Sequence, residues 1–165
     1  MDRSFISNEI TRLEFYHSEI RPQLKHYFLS DEQLQYTAHP LDAIAACENV
    51  TDRFPVMILY DEKPAGFFVL HGWEGVKEYT DNKKALLLRA YSVDSSFQGK
   101  GIAQRSLQLL PDFVNKHFPE INEVILTVNQ QNTLAQHVYK KGGFIDKGAR
   151  EMGSKGLLFI YHLNL

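Results

Sequence analysis

The sequence predicts an α/β fold, and three stretches carry that prediction. Leu86 to Val93 (LLLRAYSV) is an apolar strand that runs through a polar turn and two glycines into a helical pattern. Glu123 to Val128 (EVILTV) is a second buried strand, followed by a short helix over Gln131 to Lys141. Phe54 to Tyr60 (FPVMILY) and Ala65 to Gly72 (AGFFVLHG) read as a hairpin ahead of both. Strand, helix, strand, helix in that order is a parallel crossover. The 165 residues fit a single domain, 1–165, because domains most often hold roughly 100–150 residues.

Taken in order, Ile10 to Tyr16 (ITRLEFY) has the β-branched and aromatic content of a strand. From Ile20 to Asn49 apolar residues recur at helical spacing, and Pro22 and Pro40 punctuate the run, so two helices broken near His39-Pro40 are expected. Ser30 to Gln33 (SDEQ) is a capping box that starts a helix at Asp31. The hairpin strands are joined by Asp61, Glu62, Lys63 and Pro64, read as a four-residue turn. Trp73 to Lys84 is polar and acidic and is expected as a loop or an irregular strand start.

Leu86 to Val93 is apolar on both faces, Arg89 excepted, as a central covered strand must be. The helix after it carries Ile102, Ala103, Ser106, Leu107, Leu110, Phe113 and Val114 on one face and Gln104, Arg105, Gln108 and Asp112 opposite. Pro111 removes one hydrogen bond and predicts a kink. Gly142 and Gly143 end the next helix. Phe144 to Lys147 and Gly156 to Leu165 supply two final strands.

The turn in the middle, SSFQGKGIAQ from Ser95 to Gln104, has the order of a phosphate site. A helix begun without bulky side chains exposes its first N–H groups at the positive end of its dipole. Gly99 and Gly101 suit a backbone that approaches a diphosphate or takes positive φ, and Lys100 adds a cation. A Walker loop needs Ser or Thr after its lysine, whereas Gly101 follows Lys100. The dinucleotide fingerprint needs three glycines in an early strand-turn-helix unit, and here there are two, late in the chain.

The same turn resembles the acetyl-CoA loop of the GCN5-related N-acetyltransferases: Gln or Arg, two residues, Gly, one residue, then Gly or Ala. Here those residues are Gln98, Gly99, Lys100, Gly101, Ile102 and Ala103, followed by Gln104 and preceded by the strand end Tyr91, Ser92, Val93. A second block, NTLAQHVYKKGGF from Asn132 to Phe144, is similar to that family's Asn-x-x-Ala-x-x-x-Tyr helix and following Gly-Phe. The resemblance covers at least Ala85 to Leu165. It implies a mixed central β-sheet flanked by helices on both faces, antiparallel early and parallel around the loop.

It also implies acetyl-CoA as co-substrate and an amine, small-molecule or peptide, as acceptor. By resemblance Tyr91 to Val93 pair with the pantetheine arm, a main-chain N–H near Val93 meets the thioester carbonyl, and Asn132 bonds the cofactor arm. Asn132 is also a natural helix N-cap. Tyr139 stands where the family carries the tyrosine that protonates the departing thiolate; the other reading is a packed helix tyrosine. The carboxylate base of many relatives is missing, since Arg89, Ala90 and Thr127 stand on the relevant strands. Glu74, Glu78 and Glu151 are the candidates outside them, and Arg89 is either a structural ion pair or a partner for an acidic group on the acceptor. A non-catalytic acyl-CoA-binding or sensor domain is the alternative function, because fold alone does not confer activity.

Composition excludes several other classes. A net charge of −2 without a Lys/Arg run gives no footprint for nucleic acid. Met1 to Ile10 lacks a secretory apolar core, and no run approaches the roughly 20 apolar residues of a membrane span, so a cytoplasmic protein is expected. Cys47 is the single cysteine, which leaves neither an internal disulfide nor a cysteine zinc cluster. The seven histidines show no metal-ligand spacing, and no metal is expected. The apolar C-terminal strand is compatible with a homodimer.

Overall fold

A computed structural model describes residues 10–165. Of the stretch read against a secretory leader, residues 1–9 lie outside the described residues. The chain builds one seven-stranded sheet in the order β1-β2-β3-β4-β5-β7-β6. Its strands are β1 (Thr11–Phe15), β2 (Arg53–Tyr60), β3 (Lys63–His71), β4 (Ala85–Val93), β5 (Glu123–Asn129), β6 (Ile145–Gly153) and β7 (Gly156–Asn164). β1 to β4 are antiparallel neighbours, β4 and β5 are parallel, and β5, β7 and β6 are antiparallel again. No helix among the described residues is long and apolar enough to cross a membrane.

Strand alternation sorts the core into two layers. Val56, Ile58, Phe68, Leu70, Leu86 and Leu88 face α4 (Ile102–His117), which buries Ile102, Leu107, Leu110, Phe113 and Val114 against them. Met57, Leu59, Phe67 and Val69 face the other way, onto a 3-10 segment (Ser18–His26) and the helix at Pro40–Cys47. Each layer removes several large side chains from water, at roughly 1.5–3 kcal/mol apiece.

Four local expectations change. The capping box forms as expected, with Gln33 N–H donating to Ser30 Oγ and Ser30 N–H to Gln33 Oε1, but the helix it starts, α1 (Asp31–Leu34), lasts one turn. The apolar spacing before it belongs to the 3-10 segment, which accommodates Pro22, and Pro40 opens α2 (Pro40–Cys47) at its N-terminus. The hairpin turn is two residues, Asp61 and Glu62, both at positive φ (51° and 64°), and Lys63 and Pro64 belong to β3. Trp73–Val76 forms a helical turn, α3, within the stretch expected as a loop. α4 runs through Pro111 as one helix, and α5 (Thr133–Lys141) follows β5.

Candidate active site

β4 and β5 pair only at Ala85, Leu86 and Leu87 with Glu123, Val124 and Ile125. Beyond that the two strands part: β4 continues against β3 alone and β5 against β7. A bulge accompanies the parting. Ala90 has φ 55°, and the β3–β4 register slips between Phe67 and Val69. An extra residue of this kind bends its strand and increases local twist. The gap lies in a cleft of about 1410 Å³ whose walls include β4, the start of α4, the end of β5 and α5.

Main-chain groups line this gap. Asp94 N–H donates to Ala65 O (2.8 Å), so the groups of Val93, one residue earlier, point away from β3 and into the cleft. Val93 O is taken there by Gln33 Nε2 (2.9 Å), which leaves the Val93 N–H as the donor facing the gap. The side chains of this edge are structural. Ser92 Oγ bonds the buried Tyr27 hydroxyl (2.7 Å), and the Tyr91 hydroxyl and Ser106 Oγ bond each other (2.6 Å) beside Ala103 O, which accepts from Ser106 Oγ (2.8 Å). That relay ties the strand to the first turn of α4.

The loop before α4 is built from Gly99 and Gly101 at φ 84° and 75°. A Cβ on either would meet nothing within 4 Å, so left-handed backbone, and not crowding within the chain, requires glycine here. The first intrahelical bond of α4 is Arg105 N–H to Gly101 O. Among the described residues the N–H groups of Gly99, Lys100, Gly101, Ile102, Ala103 and Gln104 therefore have no acceptor. Six successive donors at a helix start, with open space before them, suit a diphosphate. Gln98 lines the same cleft. Lys100 departs from expectation: its ammonium lies 5.9 Å from the Tyr60 ring centre, and it is not among the cleft-lining residues.

α5 closes the site from the other side. Asn132 is its N-cap, with Oδ1 accepting from Ala135 N–H (3.2 Å), and it also lines the cleft. Gln104 Nε2 donates to Val138 O (3.1 Å) and joins the two helices. Tyr139 packs edge-on against Tyr91 at 5.8 Å between ring centres and lines the cleft, and its hydroxyl makes no hydrogen bond among the described residues. Burial, with a further contribution from Tyr91, pushes its phenol well above the usual tyrosine value. The phenol therefore stays protonated at neutral pH.

The resemblance implies that the region before β2 lines part of the acceptor site, but sequence reasoning did not single out the residues of the segment before α2 that reach the cleft. Gln33 was legible as a capping residue, but its second bond to Val93 spans 60 positions and left no local signal. Glu32 and Asp42 also line the cleft. At the far rim Lys155 Nζ donates to Gln35 O (2.7 Å) across 120 positions. Of the carboxylates considered from sequence, Glu74 is held by Lys77 (2.7 Å), Glu78 lines a smaller adjoining cavity, and Glu151 lines neither. Among the described residues no group of three or more His, Cys, Asp or Glu is placed to hold a metal ion.

This sheet, split beside a glycine-rich helix start, defines an acetyltransferase fold. Residues 19–144 match the family model described as Acetyltransferase (GNAT) family, and the chain belongs to that family. It is 40% identical over 151 residues to a Bacillus subtilis (strain 168) protein named "Uncharacterized N-acetyltransferase YbbJ", covering 91% of this chain and 94% of that one. Among solved structures it resembles the aminoglycoside acetyltransferase AAC(6')-Ib in complex with coenzyme A and kanamycin (TM-score 0.75, 16% identity, 94% and 95% of the two chains). It also resembles a ribosomal-protein-S5-alanine acetyltransferase from Vibrio fischeri (TM-score 0.66, 16% identity, 93% and 92%). At these identities the structures share the fold.

Proposed function

We propose that this protein moves the acetyl group of acetyl-CoA to a primary amine by direct attack, without a covalent enzyme intermediate. The observation that carries the reading is the row of unpaired N–H groups from Gly99 to Gln104 opening onto the same cleft as the Tyr139 hydroxyl. In this reading the diphosphate sits on those donors, with Gln98 beside it. The pantetheine arm runs along the Tyr91 to Val93 edge and past Asn132. The Val93 N–H meets the thioester carbonyl oxygen as negative charge grows on it. The amine nitrogen forms the new C–N bond, the C–S bond breaks, and the thiolate takes its proton from Tyr139. The proton shed by the amine leaves through water, with Glu32 and Asp42 lining the cleft and Glu74 and Glu78 lining its side cavity. A relative named as an N-acetyltransferase and a neighbour solved with coenzyme A and kanamycin support the chemistry.

The test is thiol release from acetyl-CoA across a panel of small amines and peptides. The wild type is expected to turn over at least one of them. Tyr139→Phe should bind acetyl-CoA normally and lose about 10²-fold or more in kcat. Undiminished turnover would remove Tyr139 from the mechanism, and acetyl-CoA binding without turnover of any amine would favour the non-catalytic acyl-CoA-binding alternative.

A further inference from the structure

Beside the main cleft lies a second cavity of about 280 Å³, lined by Arg53, His71, Glu74, Glu78, Arg89 and Thr127 among others. Arg89 and Thr127 line both cavities. Extending the β4–β5 register past Leu87 and Ile125 brings these two residues opposite each other, at the point where the strands part. The second cavity thus opens where acetyl transfer is proposed to occur.

Its charge is unusual. Arg89 and Arg53 both reach the cavity, and neither forms an ion pair within 4.0 Å among the described residues. Arg53 Nε is buried with no hydrogen-bond partner, and the one side-chain hydrogen bond of this guanidinium among the described residues is a long one from Nη1 to Ala46 O (3.4 Å). The Arg89 guanidinium lies 3.2 Å from His71 Nδ1. A guanidinium only donates, so Nδ1 is the acceptor and the His71 proton sits on Nε2, facing Asp52 Oδ1 at 3.4 Å. His71 is thereby neutral, held by Asp52, and fixes Arg89 through one of its five N–H groups. Burial and the nearby Arg53 depress the Arg89 value, and burial lowers His71. Of the acidic groups around the cavity, Asp52 is engaged with His71 and the Glu74 N–H, Glu74 with Lys77, and Glu78 is exposed at the rim.

Two guanidiniums without a carboxylate partner, one fixed in orientation and shared with the main cleft, form a receptor for a planar anion. We infer that Arg89 and Arg53 bind a carboxylate carried by the acceptor, so that the substrate is a small amine bearing a carboxylate close to its amino group, as in an amino acid. The amine end of this inference rests on the acetyltransferase reading; the carboxylate end rests on the two arginines. The volume admits a carboxylate and a few carbons. Arg89 stands in this reading as a specificity residue, and His71 as the group that positions it.

The experiment uses product mimics on the full chain saturated with CoA. Thermal unfolding is followed while N-acetylhistidine, N-acetyltyrosine and N-acetylphenylalanine are titrated in, each beside its partner lacking the carboxylate: N-acetylhistamine, N-acetyltyramine and N-acetylphenethylamine. At least one carboxylate-bearing member is expected to bind ten-fold or more tightly than its partner. Arg89→Gln should abolish that difference, Arg89→Lys should keep only part of it, and both should bind CoA as the wild type does, which shows that they fold. Equal binding within every pair, no binding of any carboxylate, or an undiminished preference in Arg89→Gln would overturn the inference. If CoA itself does not bind, the cofactor reading fails; the same titrations on the free protein then decide the arginine site separately.

Discussion

Tyr139 brings sequence, packing and chemistry together at one hydroxyl. Its ring is edge-on to Tyr91 and Phe144, and that burial raises its pKa from the ordinary 10.0. A raised phenol stays protonated to higher pH, so the acid form proposed for thiolate protonation persists throughout the neutral and mildly alkaline range. The kcat of the wild type is therefore expected to show no descending limb with a midpoint below about pH 10. A fall in kcat centred near pH 8, absent from Tyr139→Phe, would show that the phenol titrates early and is not held as described. The neighbouring Tyr91 has a raised pKa of similar origin, burial opposed by its bond to Ser106, yet its hydroxyl is spent on the relay to Ala103. Two tyrosines in contact thus have different duties, decided by what each hydroxyl meets.

At the scale of elements, α5 must lie close on α4 for Tyr139 to face the loop, and Gly142 is where the closeness is paid for. A Cβ there would lie 2.6 Å from Leu107 Cδ1 and 2.9 Å from Leu107 Cβ. Gly142→Ala is expected to destabilise the fold by about 1–3 kcal/mol, as overpacking does. Urea unfolding should show a lower midpoint with an unchanged slope; an unchanged midpoint would mean that the helices separate without cost. Elements were legible from sequence where the apolar period was strong, as in β4, α4 and β5. They were obscured where another interaction chose the conformation. Asp61 and Glu62 carry no glycine to announce a two-residue turn, although both take positive φ. β6 is an edge strand whose residues are mostly exposed, so only its first positions were expected as strand. The site divided in the same way. The loop and the Tyr139 helix are contiguous motifs, whereas Gln33 on Val93 and Arg53 beside Arg89 arise only when distant segments meet.

Across the whole molecule, the parted strands need a firm closed end. Glu123 opposite Ala85 supplies it: its carboxylate accepts from Asn82 Nδ2 (3.0 Å) and bonds His162 Nδ1 (2.8 Å), with the residue 8% exposed. Burial alone would raise the Glu123 pKa, but the bonds from Asn82 and His162 outweigh it and bring the value below the ordinary 4.5. A carboxyl depressed in the folded state contributes stability that is present above its unfolded value and lost as pH falls through the folded one. Thermal unfolding of the wild type is therefore expected to lose stability relative to Glu123→Gln below about pH 4.5, the two converging in stronger acid. Parallel pH dependence of the two proteins would show that this cluster does not clamp the sheet. With the closed end secured, the bulge at Ala90 opens the other end onto the glycine loop on one side and the Arg89 cavity on the other.

The most direct measurement is calorimetric titration of acetyl-CoA into the wild type and into Gly101→Glu. The space before Gly101 is open, so the glutamate would strain a left-handed residue and place a negative charge against the six unpaired N–H groups. Binding near the micromolar range, about −8 kcal/mol, by the wild type and its loss in the variant is the expected result. No binding by the wild type, or equal binding by both proteins, would contradict the assignment of this loop to the diphosphate of acetyl-CoA.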